Sequence, residues 1–226
     1  MPSLAEYFAR NKGNLTDEQQ TLLQQKKVAV IGCGGLGGYV IEELVRIGVG
    51  QLHLFDPDDF DPSNCNRQLN ALLSTLGQNK AEVAAARAAS IHPFATIRSF
   101  PSDFRTIGEE EPLRVDVAVD SLDDIQARRD LAALCNQRNI PLVHGAVNGW
   151  YGQVGVQLPG GTLIERLYPQ RMTAGPAPSV LSFTVAFIAS LQAAETVKLL
   201  LGLASPLHSS WLHVDLKDID FLMHAE

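Results

Sequence analysis

The stretch "FDPDDFDPSNCNRQ" (55–68) gathers Asp56, Asp58, Asp59 and Asp61 before it turns to Asn64, Arg67 and Gln68. Upstream, "GCGGLG" (32–37) supplies Gly32, Gly34, Gly35 and Gly37. Downstream, Lys80 lies in "GQNK" and Asp123 in "DSLDD". These residue types suit the handling of a nucleotide. A Gly-x-Gly-x-x-Gly turn lets backbone N–H groups approach a phosphate at a helix N-terminus, and an acid at the end of the next strand binds ribose hydroxyls. A dinucleotide used for hydride transfer needs nothing more. Reaction at the α-phosphorus of a triphosphate needs cations and a metal to offset charge, and Arg67, Lys80 and a magnesium-holding Asp123 could supply them. Taken one at a time, a glycine turn can serve packing, and a lone Lys or Asp can serve solvation or capping.

Positioning these residues requires strand ends. "KKVAVIG" (26–32) is an apolar, β-branched run entering the glycines. In "GYVIEELVRIG" the residues Val40, Ile41, Leu44, Val45 and Ile47 recur at helical spacing, with Gly48 as cap. "QLHLFD" (51–56) is the next strand, so the unit is βαβ with parallel strands. The alternation continues with a helix over 78–90, strands at "ATIRSF" and "VDVAVD" (115–120), a helix over 124–138 and a strand at "PLVHGA". After these come a strand in "GQVGVQLPGG", an irregular stretch over 159–178, a long helix over 179–202 and a final strand pair, "SWLHVDL" and "DFLMH". The expected fold is α/β: a doubly wound, mostly parallel Rossmann-like sheet with a C-terminal antiparallel extension. Ligands bind such sheets beyond the carboxyl ends of the strands, where Gly32, Asp56 and Asp120 fall.

Composition narrows the partners. Eighteen Lys+Arg against 25 Asp+Glu give a net charge of −7, and no basic run is present, so nucleic acid is not an expected ligand. Cys33, Cys65 and Cys135 are scattered and odd in number, which fits neither a disulfide framework nor a zinc pair. As small buried residues they read as structural, and a reducing cytoplasm is the expected location. "MPSLAEYFARNKGN" has no charged region followed by an apolar one, so no signal peptide is expected. Polar residues interrupt the apolar run 179–202, which reads as a core helix, with no membrane partner. His53 and His92 read as structural. His144 stands near the crevice with its role open. The glycines of "GAVNGWYGQV" would admit a peptide main chain or mark a strand bulge.

As an ordered set, "ARNKGNLTDEQQ", "VAVIGCGGLGGYVIEELVRIGVG", "FDPDDFDPSNCNRQ", "GQNKAEVAAARAASIHP", "VAVDSLDD", "VHGAVNGWYGQV" and "SLQAAETVKLLLG" resemble the ThiF/MoeB/HesA family, relatives of the ubiquitin-activating enzymes. The resemblance runs from about Arg10 to Gly202. It implies one adenylation domain over 1–226: an N-terminal helical segment (1–26), a nucleotide-binding core (27–146) and a carrier-binding part (147–226) with a crossover loop at 159–178. It also implies an ATP- and Mg²⁺-dependent adenylyltransferase acting on the C-terminal glycine of a ubiquitin-like sulfur-carrier protein ending in Gly-Gly. By position, Asp56 and Asp58 become the ribose-side and nucleotide-site acids, with Asn64, Arg67 and Gln68 around the phosphates. Lys80 becomes a phosphate-binding cation, Asp123 the magnesium carboxylate, and Arg10 the arginine lent to the partner's site in a homodimer. Three departures accompany the match. There is no Cys-x-x-Cys pair, so no zinc is expected; no cysteine falls in 159–190 for a thioester or persulfide; and Asp124 stands where the family commonly has asparagine. A NAD-dependent oxidoreductase and a non-catalytic partner subunit of the same fold are the competing readings. Neither gives Arg67, Lys80 and Asp123 a use.

Overall fold

The computed structural model describes residues 3–106, 111–172, 179–208 and 210–224. The N-terminal part forms α1 (Leu4–Tyr7), a three-ten turn at Ala9–Asn11 and α2 (Asp17–Gln25), the last opened by a Thr16/Gln19 capping box. There follow β1 (Lys27–Ile31), α3 (Gly35–Ile47), β2 (Gln51–Phe55), α4 (Lys80–Ile91), β3 (Thr96–Phe100), β4 (Val117–Asp120) and α5 (Ile125–Arg138). The chain continues with β5 (Leu142–Asn148), β6 (Tyr151–Gln157), α6 (Leu163–Leu167), α7 (Ser182–Leu200), β7 (Trp211–Asp215) and β8 (Asp220–His224). Among the described residues, eight strands join one sheet in the order β3-β2-β1-β4-β5-β6-β7-β8. β1 to β5 pair in parallel and β6 to β8 antiparallel.

Helices cover both faces of the parallel part, which is why β1 is apolar at consecutive positions. Val28 and Val30 face one core with Val40, Ile41 and Leu44 of α3, while Ala29 and Ile31 face the other with Leu131 of α5 and Ile164 of α6. Each large aliphatic side chain buried this way contributes about 1.5–3 kcal/mol. α3 ends at Gly48, whose φ of 102° suits glycine in a left-handed cap. α7 packs against α3, β5 and β6. Its polar residues Thr184, Gln192, Glu195 and Thr196 are buried within the protein.

Three details differ from the sequence reading. The stretch 159–178, expected to be irregular, contains α6, whose Leu163 and Ile164 are fully buried; residues 173–178 lie outside the described residues. A Cβ on Gly145 would lie 2.3 Å from Gln192 Cδ, and one on Gly152 would lie 2.3 Å from Ile188 Cγ1. These glycines therefore admit α7, where a peptide main chain or a bulge was expected. Finally, Cys33 and Cys135 are buried as expected, but Cys65 is exposed.

Candidate nucleotide site

The sheet order reverses direction between β1 and β4, and the loops after β1, β2 and β4 meet there. Gly32 leaves β1 with φ of 93°, and a Cβ on it would lie 2.6 Å from the Ser121 carbonyl of the loop after β4. A Cβ on Gly37 would lie 1.8 Å from the Gly32 carbonyl, so the turn closes only without side chains. Gly34 is the N-cap of α3 and offers no side-chain cap. The first-turn N–H groups of this 13-residue helix are left for an anion, at the positive end of its dipole.

Asp56 ties the loops together. Its Oδ2 accepts from Cys33 N at 2.7 Å and its Oδ1 from Asp58 N at 2.9 Å. Burial pushes the Asp56 pKa up and outweighs these N–H bonds and nearby Lys80. Asp58 is exposed and pairs with Lys80 Nζ at 3.0 Å, while Lys80 itself is buried at the first position of α4. Asn79 holds this corner. Its Oδ1 caps α4 at Ala81 N and Glu82 N, and its Nδ2 donates to the carbonyls of Asp56 and Asp58, both at 3.1 Å. Asn79 was not among the residues singled out from sequence, although an asparagine just before an apolar-periodic helix is a capping signal.

The other candidates are placed more variously. Asn64 Oδ1 accepts from Asp61 N, closing the three-ten turn Pro62–Asn64, and Arg67 Nη1 folds back onto Ser63 O and Asn66 Oδ1, both at 2.9 Å. Gln68 lies against Gly34, with Nε2 3.2 Å from where a Cβ would be; its buried Oε1 has no hydrogen-bond partner among the described residues. Asp123 is exposed in the loop after β4. Asp124 is the N-cap of α5, accepting from Ala127 N at 2.7 Å. Aspartate and asparagine cap equally well, so Asp124 in the family's asparagine position is explained by the cap. Arg10 is exposed and not at this site: its neighbour Asn11 bonds the Ile47 carbonyl at the far end of α3, about 20 Å away at 1.5 Å per residue.

Behind the loop after β4 lies a buried polar network that sequence reasoning did not assemble. Asp120 Oδ2 bonds His144 Nδ1 at 2.7 Å, with both side chains fully buried. The carboxylate fixes the imidazole proton on Nδ1, leaving Nε2 to accept from the Tyr168 hydroxyl at 3.2 Å and from Gln153 Nε2 at 3.1 Å. Burial would raise the Asp120 pKa, but Arg128 and the His144 bond hold it below the usual range. Burial pushes the His144 pKa down against the pull of Asp120, which favours the neutral ring. His53, also buried, meets the Pro112 carbonyl through Nδ1 at 2.6 Å, and His92 sits among Tyr7, Phe8 and Phe94. Both are structural.

The profile of the ThiF family matches residues 8–225. The chain belongs to the ThiF family. Among curated ThiF-related proteins, a SAMP-activating enzyme E1 of Haloferax volcanii is 32% identical over 210 residues, covering 90% of this chain and 78% of that one. A sulfur carrier protein adenylyltransferase of Thermus thermophilus is 33% identical over 219 residues, covering 90% and 80%. Among solved structures, the Microcin C7 biosynthetic enzyme MccB in complex with N-formylated MccA superposes with a TM-score of 0.81 at 19% identity, over 100% of this chain and 74% of that one. That likeness bears on the fold alone: a mostly parallel sheet with antiparallel C-terminal strands.

Proposed function

We propose that this chain is an ATP-dependent adenylyltransferase that activates the C-terminal glycine carboxylate of a ubiquitin-like sulfur-carrier protein. The observation that carries the reading is the uncapped N-terminus of α3 with Asp56, Gln68 and Lys80 gathered around it. The names of the relatives at 32–33% identity support the same activity. In the reaction a carboxylate oxygen attacks the α-phosphorus, the bond to the bridging oxygen of the β-phosphate breaks, and pyrophosphate leaves with that electron pair. A C-terminal carboxyl, with a pKa of about 3.5, is already ionised at neutral pH, so no general base is required. The obstacle is repulsion between two anions. The α3 N–H groups, Lys80 and Arg67 oppose it by fixed charge and geometry.

Asp56 is assigned to the ribose hydroxyls, since each of its oxygens keeps a lone pair, and Asn64 and Gln68 to the phosphate side. No group of three or more metal-ligating side chains occurs among the described residues. One carboxylate together with substrate phosphates is nonetheless a common way to hold Mg²⁺, and exposed Asp123 fits that use. Bound there with the nucleotide, magnesium would offset phosphate charge.

Arg10, remote from its own glycine loop, is assigned to the site of a second copy in a homodimer. A monomeric mass by light scattering with full activity would remove that assignment. Three scattered cysteines make no four-thiolate site, and their free state suits a reducing cytoplasm. One zinc per chain after dialysis against chelator would contradict the first point. Neither nucleic acid nor a membrane is part of the reading.

The deciding experiment is ATP–pyrophosphate exchange with a Gly-Gly-ended carrier. Lys80→Ala and Asp123→Ala should each lower exchange about 100-fold or more in folded protein, and serine at Cys33, Cys65 or Cys135 should not stop it. Parent-rate exchange by Lys80→Ala would refute the roles assigned.

A further inference from the structure

Leu122, the residue before Asp123, is gripped from both sides by buried charge. Its N–H donates to Asp120 Oδ1 at 3.0 Å, and its carbonyl accepts from Arg128 Nη2. Arg128 is 6% exposed; its Nη1 donates to the Tyr168 hydroxyl, and its guanidinium lies 5.1 Å from the centre of the Tyr168 ring. The same hydroxyl reaches His144 Nε2, which closes a circuit through Asp120 back to Leu122. Next to Arg128 on α5, Arg129 donates to three carbonyls of the following stretch: Tyr168 at 2.9 Å, Pro169 at 2.6 Å and Met172 at 3.1 Å. The loop bearing Asp123 and the segment 163–172 are thus fastened to each other through one helix.

Burying an Asp, an Arg, a His and a Tyr together carries a desolvation cost that apolar side chains of the same volume would avoid. Hydrogen bonds of fixed direction give what apolar packing cannot, a unique placement of the backbone they hold. We propose that Arg128, His144 and Tyr168 are positioning residues for Asp123: their buried circuit sets the main chain at Leu122 and makes the nucleotide-side loop depend on the seating of residues 163–172. The inference rests on the reading of Asp123 as the magnesium carboxylate. It concerns nucleotide binding and does not depend on which carrier is activated.

The test is calorimetric titration of the full chain with a non-hydrolysable ATP analogue at a series of Mg²⁺ concentrations. Tyr168→Phe deletes only the hydroxyl that joins Arg128 to His144. It should raise the Mg²⁺ concentration for half-maximal binding about tenfold, the size of one hydrogen bond to a charged group, and leave metal-free nucleotide binding unchanged. Arg129→Ala, at a partly exposed position, frees the segment without uncovering a buried charge, and should shift the Mg²⁺ dependence the same way by a smaller factor. In an Asp123→Asn background both shifts should vanish, because the circuit acts through that carboxylate. Folded variants with parent Mg²⁺ dependence, or shifts that persist without Asp123, would overturn the proposal, as would nucleotide binding by the parent that ignores Mg²⁺. Absence of pyrophosphate exchange with every carrier, alongside the expected calorimetry, would remove the adenylation reading and leave this one standing.

Discussion

Gly37 and Gly38 are neighbours in the first turns of α3, and alanine should have opposite effects at the two. At Gly37 the added Cβ would lie 1.8 Å from the Gly32 carbonyl oxygen, against 3.4 Å or more for ordinary contact, so about 1.6 Å of separation must be found. The clash is with backbone, so no rotamer relieves it; either α3 slides or the turn at Gly32 reopens, and that turn already abuts the Ser121 carbonyl. Overpacking of this kind costs about 1–3 kcal/mol, and backbone against backbone belongs at the upper end. At Gly38 the nearest atom is Leu69 Cβ at 3.5 Å, an ordinary contact, and the position is helical. There alanine should gain about 0.5–1 kcal/mol, because the unfolded chain loses freedom that glycine has. In urea denaturation with an unchanged slope, the two variants should differ by about 3 kcal/mol or more. Melting points should move about 2–4 °C per kcal/mol, down for Gly37→Ala and up for Gly38→Ala. Calorimetry should show loss of ATP-analogue binding only in Gly37→Ala. Equal stabilities, or Gly38→Ala less stable than the parent by 1 kcal/mol, would refute the close-approach argument.

Asp124→Ala should cost about 1 kcal/mol in thermal melts while Asp124→Asn stays near the parent, because the cap needs only a side-chain acceptor. Burial holds the His92 pKa below its ordinary 6.5, and no partner for either ring nitrogen is present among the described residues. The unfolded chain therefore binds the proton more readily, and stability should fall as pH drops below about 6.5 toward the folded-state pKa. His92→Leu should flatten that slope in melts between pH 7 and 5, leaving the part due to His144, whose pKa is shifted the same way. Asp58→Asn should change stability by less than about 1 kcal/mol, since the Asp58 side chain is 68% exposed and its pair with Lys80 is screened. It should tighten ATP-analogue binding measured by calorimetry, and weaker binding would show that Asp58 itself contacts the nucleotide.

What the sequence disclosed was what short stretches specify alone. β1 is legible because Val28 to Ile31 are buried on both faces, and α3 because its buried residues recur at helical spacing up to a glycine with positive φ. The glycine turn and Asp56 are legible because a motif of six residues followed by a strand dictates both. α6 is not: five residues cannot display a period, and the neighbours that bury it are remote in sequence, α5 for Ile164 and Gly155 of β6 for Leu163. The packing role of Gly145 and Gly152 is hidden for the same reason, since their partners Gln192 and Ile188 lie some forty residues further on. The Asp120–His144–Tyr168 circuit joins β4, β5 and the end of α6, with no local pattern to announce it. Asn79, by contrast, carries a local capping signal, an asparagine just before a helix.

Within the site, the acids and the cation are prepared to different degrees, and the difference follows from their surroundings. Asp56 is held by N–H groups of two loops, so in the role proposed for it ribose hydroxyls would meet its remaining lone pairs without its moving. In its proposed role Lys80 would have to exchange a partner. Its side chain is 10% exposed, whereas that of the Asp58 it pairs with is 68% exposed. A fully buried partner would bind the lysine too firmly to release it, whereas an exposed one contributes about 0–1 kcal/mol and yields readily to phosphate. On the proposed reading the aspartates after β2 divide the labour: Asp56 inside, shaping the loop, and Asp58 outside, keeping Lys80 paired until a nucleotide phosphate would replace it.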